Sequence, residues 1–158
     1  MNEQLSAHDA KLKLENYCAY QERCHADVVT KLRELQIGTN DADEIIVHLI
    51  NNNYLNEERF ACSFARGKHR IKHWGKVRIV NELKFRQISQ YNINKALREI
   101  SEEEYTDSFH KLAERHWESI TESNQFKKRK KFCDYLLRKG YESDLVYEKA
   151  KALESDTD

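Results

Sequence analysis

The sequence predicts an all-α protein, and three observations carry that prediction. Proline is absent and only four glycines occur in 158 residues; strong helix formers dominate the composition; and one apolar pattern recurs three times along the chain. Sheets with many tight turns need more proline and glycine, because those residues supply the backbone angles of turns. Lys, Glu, Leu, Arg and Ala lose little freedom in a helix and occur throughout.

The recurrence gives the domain organisation. About nine helices fall into three groups of three. In the first group, Val28, Leu32, Ile37, Ile46 and Leu49 carry the apolar pattern. A step of 51 residues leads to Ile79, Leu83, Ile88, Leu97 and Ile100, and a further 53 to Phe132, Leu136, Tyr141, Ala150 and Leu153. A spacing of i, i+4, then a turn, then i, i+3 describes two helices burying one face. Any helical protein shows one such pair, whereas three in register indicate tandem repeats. The expected units are 1–54, 55–104 and 105–154, followed by a disordered acidic tail at 155–158. Gly38 and Gly140 are read as helix C-terminal caps. Asp41 with Glu44, and Ser101 with Glu104, have the spacing of capping boxes.

In the first helix of the middle unit, Phe60, Phe64, Gly67 and Ile71 run at i, i+4, i+7 and i+11. That stripe is expected to face the core, with Gly67 admitting a close neighbour helix. Arg66, Lys68, Arg70 and Lys72 then point sideways or outward, Trp74-Gly75 ends the helix and Lys76 begins the next.

Equal numbers of basic and acidic residues, 27 each, hide a segregation of charge. From Arg66 to Arg86 eight Lys or Arg residues face one acid, Glu82, and from Lys127 to Lys139 seven face Asp134. Acids gather at 41–44, 99–107 and 142–158. Segregation of this kind builds local fields that the net charge conceals. The candidate binding residues are therefore Arg66, Lys68, Arg70, Lys72, Lys76, Arg78, Lys84 and Arg86 in the middle run, and Lys127, Lys128, Arg129, Lys130 and Lys131 in the later one. The middle run spans two helices joined at Gly75 and can form one patch. Arg78, Glu82 and Arg86 at i, i+4, i+8 can instead form an ion-pair ladder within the helix. The run 127–131 covers every side of its helix, so part of it faces away from any partner.

Other chemistry is sparse. His69 and His73 have a metal-gripping i, i+4 spacing but no HExxH pattern and no completing ligand; partial positive charge beside Arg70 and Lys72 is the better use. Cys24-His25 reads as a helix start. Trp74 and Trp117 are candidates for stacking on bases, though core packing is the simpler role for Trp74. No Gly-rich phosphate loop and no GxSxG element occurs, so the expectation is a non-enzyme with no cofactor and no metal. Cys18, Cys24, Cys62 and Cys133 form no CxxC pair and are expected as reduced thiols. With no stretch of 18 apolar residues and a polar N-terminus lacking a signal-peptide core, the expected location is cytoplasmic.

The residues also resemble a known family. Tyr54-Leu55-Asn56-Glu57-Glu58-Arg59-Phe60-Ala61, then Trp74-Gly75, Arg78-Ile79 and Glu82-Leu83, then Lys131-Phe132 and Leu136-Leu137-Arg138-Lys139-Gly140-Tyr141 resemble, in order and spacing, elements of the RecX recombination regulators. One departure is Arg86-Gln87-Ile88, where the family usually has Lys-Gly-Ile, which leaves that helix end without its usual glycine cap. The resemblance implies three three-helix repeats in an elongated, curved array. It also implies a protein that inhibits RecA filament assembly, strand exchange and ATP hydrolysis by binding. The implied partners are the RecA filament and single- and double-stranded DNA, met by a monomer with no membrane contact. The alternative is a helical-repeat nucleic-acid-binding protein with no recombinase partner.

Overall fold

The computed structural model describes residues 5–156. Among these residues are nine α-helices and no strand: α1 (Ala7–Tyr20), α2 (His25–Glu34), α3 (Thr39–Asn51), α4 (Glu57–Arg70), α5 (Lys76–Phe85), α6 (Gln90–Leu97), α7 (Glu102–Ser119), α8 (Gln125–Lys139) and α9 (Ser143–Asp156). They pack as three successive three-helix groups.

Local chemistry sets the helix ends. Side chains of Ser6, Asn56, Ser89, Ser101 and Asn124 each accept from the backbone N–H three residues on. Each bond satisfies one of the amides a helix start leaves without an intrahelical partner. Cys24 caps α2, and the Asp27 carboxylate accepts from the Cys24 N–H at 3.0 Å. The expected helix start at Cys24-His25 is therefore present.

The repeat is visible at the level of single backbone bonds. In each unit the second helix ends on a left-handed residue: Gln36 (φ 59°), Gln87 (φ 60°) and Gly140 (φ 102°). The next residue's N–H returns to a carbonyl five residues back: Ile37 to Leu32, Ile88 to Leu83, and Tyr141 to Leu136. This is a Schellman closure repeated three times in register. Of the fifteen pattern positions, Ile37, Leu97 and Leu153 are half-buried and the other twelve are buried.

Several local expectations are corrected. Gly140 is a C-cap, but Gly38 is the N-cap of α3, because Gln36 two residues earlier takes the left-handed turn. Asp41 therefore lies inside the first turn of α3 and starts no capping box. Ser101 does cap α7, while the Glu104 carboxylate turns away to Arg70. The missing glycine at Gln87 is tolerated, since glutamine adopts the left-handed angle. The buried face of α4 is Phe60, Ala61, Ala65 and His69. It is rotated from the expected stripe, for Phe64 is half-buried and Ile71 is 74% exposed. Gly67 admits no close neighbour, as a methyl group there would meet nothing within 4 Å. The small Ala61 and Ala65 face α6 with its buried Ala96 instead, and these two helices make the most extensive helix pair in the fold. Helix α7 begins at Glu102, ahead of the expected division at 104/105. Helix α9 continues through Ser155 and Asp156, where Ser155 Oγ donates to the Lys151 carbonyl at 3.1 Å. Only 157 and 158 of the expected tail lie outside the described residues.

Two cores result. One joins the second and third groups, including Phe60, Ile79, Leu83, Phe109, Phe132, Leu136 and Tyr141. The first group has its own, around Leu14, Val28, Leu32, Ile46 and Leu49. Cys24 and Ala26 at the start of α2 pack into the larger core and tie the groups together. Between the second and third groups the ends of two helices meet. Gly75 N–H donates to the Lys139 carbonyl (2.8 Å) and Val77 N–H to the Gly140 carbonyl (2.9 Å). The carbonyl end of α8 thus caps the amide end of α5, an arrangement that also aligns their dipoles favourably.

Candidate nucleic-acid interface

The seam at Gly75 and Gly140 gathers basic side chains from α4, α5 and α8. A buried polar network fixes the loop that carries them. His69 is 1% exposed and its Nδ1–H donates to the Trp74 carbonyl at 2.9 Å. Tyr141 Oη–H donates to the His73 carbonyl at 3.0 Å, and Lys139 Nζ donates to the Lys72 carbonyl at 3.1 Å. Tyr105 Oη accepts from Lys76 N–H and donates to the Glu142 carboxylate; burial pushes its hydroxyl pKa well up. The expectation that His69 serves as partial surface charge is overturned, since it is an interior group of this network.

The structure sorts the candidate cations by what neutralises them. Arg70 forms a two-pronged pair with Glu104, at 2.7 and 3.2 Å. That pair raises the arginine pKa and lowers that of the carboxyl. Arg66 pairs with Glu99 at 3.2 Å and Arg86 with Glu82 at 2.9 Å. In the later run Arg129 pairs with Glu154, Lys130 with Asp134 and Lys131 with Glu122. Lys68, Lys72, Lys76, Arg78, Lys84, Lys127 and Lys128 have no carboxylate partner among the described residues. Of the expected intrahelical ladder only the Glu82–Arg86 rung exists. Arg78 instead lies over the Trp74 ring, 4.0 Å from its centroid, and donates to the Arg138 carbonyl at 3.3 Å.

The two runs are not equivalent. Residues 127–131 fan out around α8: Lys128 lies 4.2 Å over the Trp117 ring, and Arg129, Lys130 and Lys131 turn to three different acids. Trp117 is 4% exposed and unavailable for stacking on bases, whereas Trp74 is only half-buried. Arg138 and Lys139, which the basic-run candidates did not include, join the seam: the Arg138 carbonyl accepts from Arg78, and Lys139 Nζ donates to the Lys72 carbonyl. Their signal was present in the family-like segment Leu136–Tyr141, yet only the fold brings that segment to Gly75. Burial first, and then the charges of Lys139 and Arg115, hold the His73 imidazole below its usual pKa of 6.5.

Among the described residues no group of three or more His, Cys, Asp or Glu side chains is placed to hold a metal ion, and no helix is long and apolar enough to cross a membrane.

The fold and this face define a tandem three-helix-repeat protein with a preorganised cationic surface. A family model described as RecX, second three-helix domain, matches residues 56–97, and one described as RecX, third three-helix domain, matches 102–149. The regulatory protein RecX of Bacillus cytotoxicus is 26% identical over 137 residues, covering 87% of this chain and 51% of that protein. That of Bacillus thuringiensis is 24% identical over the same shares. The chain thus spans about half the length of the curated relatives it matches. A crystal structure of RecX from Lactobacillus salivarius superposes with a TM-score of 0.78 at 25% identity, covering 94% of this chain and 96% of that one. A second crystal structure, of regulatory protein RecX, gives the same TM-score at 23% identity, covering 96% and 80%. The chain belongs to the RecX family.

Proposed function

We propose that this chain is a regulator of DNA recombination and repair that binds the RecA recombinase and its nucleoprotein filament, inhibiting filament assembly, strand exchange and ATP hydrolysis. The observation that carries this reading is the match of the two RecX three-helix domains, in order, to residues 56–97 and 102–149. These are the helices that build the cationic seam. The charge pattern supports it. A cationic face approaches phosphates and releases their counterions, while the acidic first turns of α3 and α7 complement basic protein surfaces. The partners are RecA and DNA, single- or double-stranded, and the chain acts by occupying a surface, without chemistry of its own. The contact set is the middle run with Lys127 to Lys131, weighted toward the cations that lack an acid partner.

The test is RecA-driven ATP hydrolysis on single-stranded DNA with the chain added well below stoichiometric amounts. Hydrolysis falls if the reading holds. Undiminished hydrolysis alongside tight DNA binding overturns it and leaves a helical-repeat nucleic-acid-binding protein with no recombinase partner.

A further inference from the structure

The two junctions of the array are built differently, although the repeat places equivalent residues at both. The step of 51 carries Cys24 to Gly75, and the step of 53 carries Gln87 to Gly140. Between the second and third groups the two glycines let backbones touch, and the α8 carbonyls receive the N–H groups of Gly75 and Val77. Between the first and second groups both equivalent positions carry side chains, which exclude so close an approach. Carboxylates meet the amide end of α2 instead: Cys24 N–H donates to Asp27 at 3.0 Å and His25 N–H to Glu57 at 2.7 Å.

Clefts lie on both sides of this first junction. One, of about 520 Å³, separates His25, Val29 and Arg33 of α2 from Phe85, Gln87 and Asn92 around the α5–α6 turn. The other, of about 400 Å³, separates Gln21, Glu22 and Asp27 from Phe60, Phe64 and Lys68 of α4. Arg86 borders both, and Cys24 and Ala26 sit in the larger core.

We propose that this junction is a rocking joint. Helices α1–α3 turn as one body on Cys24 and Ala26 against a second body, α4–α9, opening one cleft as the other closes. The joint is a property of the chain alone and does not depend on the partner proposed above.

Three features carry it. First, each body has its own core, so a turn between them disturbs little apolar packing beyond Cys24 and Ala26. Second, the fastenings are side chains. Among the described residues no backbone-to-backbone hydrogen bond joins α1–α3 to α4–α9. The joint is held by Glu57 on the His25 N–H and by Glu22 on Arg59 Nε at 2.6 Å, and ion pairs near water exchange at small cost. Third, the fastening is incomplete. Glu22 and Glu57 each keep the second carboxylate oxygen buried without a hydrogen-bond partner. A buried acceptor left unpaired is destabilising, and turning the joint returns it to water. Rocking changes the angle at which α1–α3 meets a surface while the seam at Gly75 keeps α4–α9 fixed. A partner touching both bodies selects one angle.

The test measures residual dipolar couplings of the backbone amides of the full chain, aligned in a neutral stretched gel. The joint predicts that α4–α9 fits one alignment tensor while α1–α3 fits a separate, weaker one. Arg59→Gln removes a fastening and shifts the balance toward turned orientations about fivefold, seen as a further loss of alignment in α1–α3. Lys149→Gln breaks an ion pair inside the third group, with Glu114, and should leave both tensors unchanged. Should amide dispersion show the first group unfolded in Arg59→Gln, Glu22→Gln takes its place, since it removes the charge and keeps the bulk. One tensor fitting all nine helices of the parent chain would overturn the proposal. So would an equal division between α4–α6 and α7–α9, or alignment of α1–α3 unmoved by loss of the Arg59–Glu22 pair.

Discussion

Gly75 and Gly140 meet backbone to backbone at the seam between the second and third groups. A methyl group on Gly75 would be driven into the Gly140 carbonyl, and one on Gly140 into the backbone and Cβ of Arg78. The close approach lets the α8 carbonyls reach Gly75 and Val77, and so sets Arg78 beside Arg138.

Gly140→Ala therefore meets both a steric clash and a left-handed backbone at φ 102°. Together these cost about 3 kcal/mol, which lowers the melting temperature by roughly 10 °C for a chain of this size. Gly67→Ala, in an open helical position, raises stability by about 0.5–1 kcal/mol. Thermal unfolding of both variants checks the contrast; equal effects would remove the seam as the reason for Gly140.

Gln87 occupies the left-handed position that glycine fills in the third unit. Gln87→Gly relieves a strain of about 1 kcal/mol and moves the urea midpoint upward. The same change at Gly38's neighbour Thr39, in the first turn of α3, only adds backbone entropy and lowers it.

The His73 imidazole titrates below 6.5, because burial and then the cations Lys139 and Arg115 disfavour its charged form; His116 does so through burial. Below 6.5 the unfolded chain binds protons that the folded chain refuses. Stability is thus full above 6.5 and declines as pH falls toward the folded pKa values. NMR titration should show His73 shifting upward in Lys139→Met. A His73 pKa at or above 6.5 in the parent chain would contradict the burial of its ring beside Lys139 and Arg115.

Arg59 joins the first group to the second. Its Nε donates to Glu22 at 2.6 Å, its Nη2 donates to the backbone carbonyls of Asn53 and Tyr54, and its Nη1 to Asn53 Oδ1. Arg59→Ala is expected to cost about 1–2 kcal/mol after allowance for its partial exposure. Because the first group has a separate core, its amides in α1–α3 should lose hydrogen-exchange protection before those of α4–α9.

The repeat was legible in the sequence because burial imposes a period on apolar residues, and all three copies keep it. The phase of α4 was not. Phe64 and Ile71 advertise a core stripe, whereas small residues at Ala61 and Ala65 let α6 approach and so decide which face is buried. The helix end at Gln36 was missed for a related reason, since glutamine gives no compositional sign of a left-handed angle. At the interface the basic runs could be read, but not their neutralisation. Glu99, Glu104 and Glu154 lie 25 or more residues from the arginines they pair with, and only the fold brings them together.

The most direct test of a regulator acting on the recombinase is co-sedimentation with preassembled RecA filaments on single-stranded DNA, at a salt concentration that prevents the chain from sedimenting with DNA alone. The account predicts that the chain pellets with the filament under those conditions. A chain that pellets only where it also pellets with bare DNA would contradict it.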